Sequence, residues 1–193
     1  RDELASIPLA ELDLGDENAT EGVWTLPASR TKNDSALKVP LCSLARALIL
    51  EAISHERRPA KSRFVFATNE ATAISGFAKA KRRVDRLIQK NRVAAAAQAG
   101  VEPVPMPHWT FHDLRTTFTT MACDELHVDA GVADRILNHV ASATTSKISR
   151  IYNQADLLDQ RRDALRAWGA FLQAKVIANE ARGNVVELRK AAQ

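Results

Sequence analysis

The sequence predicts a mainly α domain with a small antiparallel β-sheet near its N-terminal part. Three observations point there. Aromatic residues make up only 5% of the chain, whereas the helix formers Ala, Leu, Arg and Glu are abundant. Two short β-prone runs flank a turn-rich polar segment close to the start. From about residue 43 onward, apolar residues recur mostly at helical spacing.

The elements follow in order. Glu3 to Ile7 reads as the end of a helix that Pro8 breaks. Residues 9–14 lead into a polar loop from Gly15 to Thr20. Gly22–Leu26 and Leu37–Leu41 read as the strands of a hairpin, with Ser29 to Ser35 between them. Pro27 and Pro40 place both strands at a sheet edge, because proline cannot donate to a ladder. Leu44, Leu48 and Ala52 space a helix over 43–53, and residues 54–63 form a charged loop. Residues 64–68 are a brief apolar strand candidate.

Residues 75–92 predict a helix with Phe77, Val84, Leu87 and Ile88 on one side. Its charge is lopsided: Lys79, Lys81, Arg82, Arg83, Arg86, Lys90 and Arg92 stand against Asp85 alone. Residues 93–107, which end in Pro103, Pro105 and Pro107, read as a connector. Beyond it, Leu114, Phe118, Met121 and Ala122 define one helical face, and Val132, Ile136, Leu137 and Val140 another. Leu157, Leu158, Leu165, Trp168, Phe171 and Leu172 mark a longer amphipathic helix. Val185-Val186 is a candidate terminal strand.

Length and charge bound the function loosely. The 193 residues suit one domain, or one domain with an extended tail. A net charge of +4 permits an anionic partner without demonstrating one. Cys42 and Cys123 lie far apart, form no CxxC, and read as reduced thiols of a cytosolic protein. No run approaches the roughly 20 apolar residues of a membrane span. The charged start, Arg1-Asp2-Glu3-Leu4, is unlike a secretory leader and reads as the beginning of a fragment or processed chain.

A few residues carry chemistry. In "FHDLR", His112 and Arg115 stand three apart, so a helix would put them on one face. Both suit one phosphate, Arg as a planar fork and His as a donor or proton carrier. The pattern HxxR alone is common and often marks only a surface pair. In "LNHV", His139 adjoins an apolar helix face, where a lone His is usually structural. Tyr152 is the single tyrosine of the chain. A phenol has a pKa of about 10, so a nucleophilic role needs cationic neighbours that favour phenolate and stabilise a phosphorane. Lys32 falls at the hairpin turn, where a lysine is ordinarily just solvated but can also deliver a proton to a leaving oxygen.

Taken in order, these residues resemble the tyrosine recombinase, or phage integrase, family, and more narrowly the integrases of prophages and genomic islands. The phrases that carry the resemblance are "WTLPASRTKN…LKVPL", "FHDLRTTFTT", "DRILNHV" and "IYNQ…RRDALRAWGAFL". They span roughly residues 1–173, which would form the C-terminal catalytic domain in that family's fold. Residues 174–193 would be a tail that docks in cis or in trans. The resemblance implies that Tyr152 attacks the scissile phosphate of DNA to form a 3′-phosphotyrosine. Arg115 and His112 would bind its non-bridging oxygens, His139 would add a further hydrogen bond, and Lys32 would protonate the 5′-oxygen. No cofactor, metal or nucleotide is implied, since the phosphotyrosine conserves the bond energy.

The same resemblance implies double-stranded DNA attachment sites as partner, a tetrameric synapse on DNA, a monomer without it, and a cytoplasmic location in a bacterial cell or phage-infected host. Lys79, Lys81, Arg82, Arg83 and Arg86 are the candidate contacts to the DNA backbone. Two departures stand out. The family's early Arg-x-x-Glu aligns Glu3 as a supporting residue, and its Arg then falls one position before Arg1, in which case this fragment is expected to cleave poorly; a shift by one residue would instead make Arg1 that Arg. Thr116 replaces a basic residue common after HxxR. Three alternatives follow: a DNA-binding protein with an incomplete site, a type IB topoisomerase-like enzyme, and a helical interaction module with coincidental motifs.

Overall fold

The structure is a computed structural model that describes residues 2–31, 34–138 and 157–181, the last five through their backbone alone. The predicted terminal strand at Val185-Val186 lies outside the described residues. The chain divides into two compact units. One comprises Arg1–Ile74 with Thr110–Ala170, the other Ser75–Trp109 with Phe171–Gln193.

In the first unit, helix α1 (Asp2–Ala5) ends before Pro8, as expected, and a 3₁₀ turn (Leu9–Glu11) follows. Three antiparallel strands then form a sheet in the order β1 (Leu12–Asp13), β2 (Gly22–Leu26), β3 (Leu37–Leu41). The predicted hairpin is present, with Trp24 paired to Val39. β2 is central rather than at an edge, because β1 pairs with it through Leu12 and Trp24. Pro27 stands just past the end of β2, so its missing N–H costs the ladder nothing. Pro40 does lie on an edge strand.

Alternation puts Trp24 and Leu26 on the buried face of the sheet, against Ile7, Leu41, Val65 and Ile49 of helix α2 (Ser43–Ser54). Burying each large aliphatic side chain of this set contributes about 1.5–3 kcal/mol. The inward stripe of α2 is Ala45, Ile49, Ala52 and Ile53. Leu48 is 56% exposed, so the expected stripe was offset by one residue. Residues 64–68 form no strand beyond an isolated bridge between Phe64 and Pro8. Arg58 accounts for this, since its guanidinium takes the carbonyls of Ser62, Phe64 and Val65 that a ladder would otherwise use.

Helices α4 (Asp113–Leu126) and α5 (Ala130–Ile136) pack through Phe118, Ala122 and Ala133. Trp168 of α6 (Leu158–Ala181) closes this cluster, its ring edge-on to Phe118 at 5.2 Å between centroids. Leu114, expected on the packed face of α4, is instead 55% exposed. Arg161 of α6 is fully buried and donates to the carbonyl of Lys38 on β3. Gly169 lets α6 approach Cys42, for a Cβ there would sit 2.8 Å from the Cys42 sulfur.

In the second unit, α3 (Phe77–Ala99) is longer than expected. Ala94 to Ala97 continue the helix instead of opening the connector, because alanine is the best helix former. Gly100, left-handed at φ 66°, ends it by donating to the carbonyls of Ala96 and Ala97. Val84 and Ile88, expected on the packed side, are 39% and 36% exposed.

Candidate functional site

α4 opens on a turn that the sequence builds from Thr110 and Asp113. One Asp113 carboxylate oxygen accepts from the Thr110 N–H at 2.6 Å and from its hydroxyl at 3.1 Å. The Asp113 N–H returns a bond to the Thr110 carbonyl at 3.1 Å. An acid at this position also complements the partial positive charge of the helix start. His112 sits inside the turn with helical backbone angles, φ −69° and ψ −33°, and its side chain is exposed and does not cap the helix. The first helical bond runs from the Arg115 N–H to the His112 carbonyl at 2.9 Å.

Arg115 is half-buried, and its guanidinium donates to the backbone carbonyl of Leu137. Leu137 and Asn138 immediately precede His139. Packing of Phe118 and Ala122 on Ala133 holds the two helices that carry this bond. The structure thus joins the HxxR turn to the residues that lead into the LNH phrase. His139, Tyr152 and Lys32 themselves lie outside the described residues, as does Arg1.

Glu3 lies exposed on α1. Its carbonyl accepts from Arg30 at 3.2 Å, and the same guanidinium nitrogen reaches the Ser6 carbonyl at 3.0 Å and its hydroxyl at 2.9 Å. The other terminal nitrogen pairs with the Glu11 carboxylate, which also accepts from the Trp24 indole at 2.9 Å. Arg30 therefore ties α1, the 3₁₀ turn and β2 together two residues before Lys32. Thr31, buried, bonds through its hydroxyl to the carbonyls of Ala28 and Ser35, both at 2.9 Å, and accepts from the Ser35 N–H at 3.0 Å. Both sides of the loop bearing Lys32 are braced by this one hydroxyl. Sequence reasoning missed Arg30 and Glu11, because a lone ion pair between irregular segments leaves no periodic signal.

On α3, Lys79, Arg82, Arg83 and Arg86 are exposed. Lys81 differs: its ammonium is 2.7 Å from Asp85 and 4.6 Å from the centre of the Trp109 ring. Trp109 donates to the other Asp85 oxygen at 2.8 Å. The Lys81 hydrogen bond holds the Asp85 carboxyl below its ordinary pKa, against desolvation, with Trp109 and the charges of Lys81 and His108 adding to the effect.

Among the described residues, no three His, Cys, Asp or Glu side chains gather as a metal site would require. Cys42 and Cys123 are free thiols, both half-buried. No described helix is long and apolar enough to cross a membrane.

A model of the phage integrase family matches residues 8–156, well over half of the chain. The chain belongs to the phage integrase family. Comparison with curated proteins and with solved structures yields no match. Family membership supports a site-specific tyrosine-recombinase-like function, with DNA as the partner and DNA cleavage and rejoining as the activity class. The matched span of this integrase contains Lys32, His112, Arg115, His139 and Tyr152, while Glu3 lies before it.

Proposed function

We propose that this integrase chain is the C-terminal catalytic domain of a site-specific recombinase of the prophage and genomic-island type. Tyr152 gives up its phenolic proton to solvent, its Oη attacks the scissile phosphorus, the bond to the 5′-oxygen breaks, and a 3′-phosphotyrosine forms. Lys32 supplies the proton that the departing 5′-oxygen takes up. Arg115 and His112 neutralise the non-bridging oxygens of the phosphorane, and His139 donates a further hydrogen bond. Glu3 supports the first arginine of the family pattern. Rejoining is the reverse, with a 5′-hydroxyl from the partner strand attacking the phosphotyrosine.

The observation that carries this reading is the bond from Arg115 to the Leu137 carbonyl, which brings the HxxR turn to the residues that lead into His139. One guanidinium edge is engaged by that carbonyl, and a planar fork leaves further N–H groups for a phosphate. The exposed His112 stands one helical turn from Arg115 on the same α4 start. The exposed cations of α3, Lys79, Arg82, Arg83 and Arg86, supply contacts to the DNA backbone. Lys81 serves chiefly to fix Asp85 and Trp109. Residues 1–173 form the catalytic domain, residues 174–193 dock as a tail in cis or in trans, and four copies assemble on paired attachment sites in the cytoplasm.

A nicked suicide substrate tests the chemistry. The full-length protein is expected to trap a covalent DNA adduct, and Tyr152→Phe to abolish it. An unchanged adduct in that variant would falsify the assignment. Supercoil relaxation without exchange of partners would favour a topoisomerase, and salt-sensitive binding with no adduct a degenerate site.

A further inference from the structure

His112 is exposed and does not cap α4, so its backbone is what places it. That backbone is held on both sides. Around it, Thr110 and Asp113 close the turn over 110–113: the Thr110 N–H and hydroxyl donate to one Asp113 carboxylate oxygen, and the Asp113 N–H donates to the Thr110 carbonyl. Thr110 and Asp113 stand at the spacing of a capping box, and here the hydroxyl holds the acid in place. Beyond it, the Arg115 N–H donates to the His112 carbonyl at 2.9 Å. One helical turn further on, the hydroxyls of Thr117 and Thr119 donate to the carbonyls of Asp113 at 2.8 Å and Arg115 at 3.1 Å. The Arg115 guanidinium has its own anchor in the Leu137 carbonyl.

We infer that Thr110 and Asp113 are positioning residues: their reciprocal bonds fix the backbone from which His112 and Arg115 reach one phosphate. The inference rests on the reading of those two side chains as phosphate ligands. An imidazole and a guanidinium share a phosphate only while the backbone between them keeps one geometry. A misplacement of about 1 Å at such a site costs up to about 10²-fold in rate. Arg115 is steadied at its far end by Leu137, whereas His112 takes its place through the turn. Loosening the bonds of Thr110 and Asp113 therefore acts first on His112, and through it on the reaction rather than on the binding of DNA.

The test compares Asp113→Ala, Thr110→Val and Thr110→Ser with the wild type in the full-length protein, each checked by thermal melting. Asp113→Ala removes the acceptor, Thr110→Val removes the hydroxyl alone, and Thr110→Ser restores it. Three readouts are taken: the single-turnover rate of adduct formation on a suicide substrate at saturating DNA, the DNA Kd, and the imidazole Hε1 resonance of His112. Asp113→Ala is expected to react about tenfold or more slowly, Thr110→Val about threefold or more slowly, and Thr110→Ser within about twofold of the wild type. DNA affinity should stay within about twofold throughout, since binding draws on many phosphate contacts. The His112 resonance is expected to move in Asp113→Ala and Thr110→Val and to stay in place in Thr110→Ser. A helix that merely lost stability would melt earlier without changing the rate at saturating DNA. If Asp113→Ala does not fold, the Thr110 pair carries the test. Wild-type rates in the variants that lose a bond, or a Thr110→Ser protein as slow as Thr110→Val, would overturn the inference. If the wild type itself forms no adduct, the functional reading fails, and the resonance alone decides: an identical His112 signal in all four proteins overturns the positioning role.

Discussion

The guanidinium of Arg115 donates to the backbone carbonyl of Leu137, 22 residues further along the chain. One side chain thereby anchors the approach to His139 and, in the proposed reaction, faces the scissile phosphate. Lysine keeps the charge but lacks the planar fork that can serve both acceptors. Arg115→Lys is expected to slow adduct formation by about 10²-fold or more, the scale of losing one donor to a transition-state oxyanion. DNA binding should change far less. A full-rate Arg115→Lys protein in single-turnover cleavage would show that the fork is not needed.

Arg30 and Glu11 form a shielded pair, with side-chain exposures of 24% and 12%, and Glu11 also holds the Trp24 indole. Removing the carboxylate leaves a poorly solvated guanidinium and an unmatched indole N–H. Glu11→Ala should lose about 2–3 kcal/mol of stability, and Glu11→Gln about 1 kcal/mol, because its amide oxygen still accepts from Trp24. Urea unfolding measures both. A loss below about 0.5 kcal/mol in the alanine variant would mean that the pair contributes no more than an ordinary surface ion pair.

Glu21 and Arg166 form an exposed pair between the start of β2 and α6. The Arg166 hydrogen bond lowers the Glu21 pKa, opposed by desolvation and helped by the charges of Arg166 and Arg162. A carboxylate depressed in the folded state contributes stability above its unfolded pKa of about 4.3 and loses it as pH falls through the lower folded value. Glu21→Gln should therefore melt slightly below the wild type at pH 6, with the gap closing as the pH falls below about 4. Salt should narrow the gap as well, because both groups face water. A gap that widens in acid would reverse the assigned sign.

The cations of α3 separate into two kinds. Replacing Lys79, Arg82 and Arg86 by alanine should weaken DNA binding. It should also flatten the plot of log affinity against log salt by about 0.9 for each DNA phosphate that is no longer neutralised. Lys81→Ala should lower the melting temperature while leaving that slope nearly unchanged, since Lys81 is engaged with Asp85 and Trp109. Slopes that respond equally to both variants would remove the distinction.

Much of the fold was legible because it repeats. The β2–β3 hairpin announced itself through β-prone runs around a polar turn, and α4 and α6 through apolar spacing. β1, two residues long, is too short to show alternation. The α2 stripe was misplaced because Leu48 and Ile49 are adjacent and equally apolar, and only the sheet decides which is covered. α3 outran its expected end because the charged pattern stops before the alanines that extend the helix to Gly100. At the candidate site, the three-residue spacing of His112 and Arg115 suggested only that one helix carries both, and α4 does begin there. The partner of Arg115 was not legible, since a backbone carbonyl has no sequence signature. Nor was the left-handed turn at Asn138, since asparagine also occurs in many ordinary loops. Lys32, His139 and Tyr152 rest on the motif order and on the family match that spans them.

The central claim is most directly tested by identifying the amino acid that carries the DNA in a trapped adduct. Digestion of that adduct with nuclease and protease, followed by tandem mass spectrometry, reads the linkage itself. The sequence offers one tyrosine, so the account predicts a single peptide spanning Tyr152 with a nucleotide joined through its 3′-phosphate to the phenolic oxygen. A nucleotide attached to serine, histidine or any residue other than Tyr152 would contradict it.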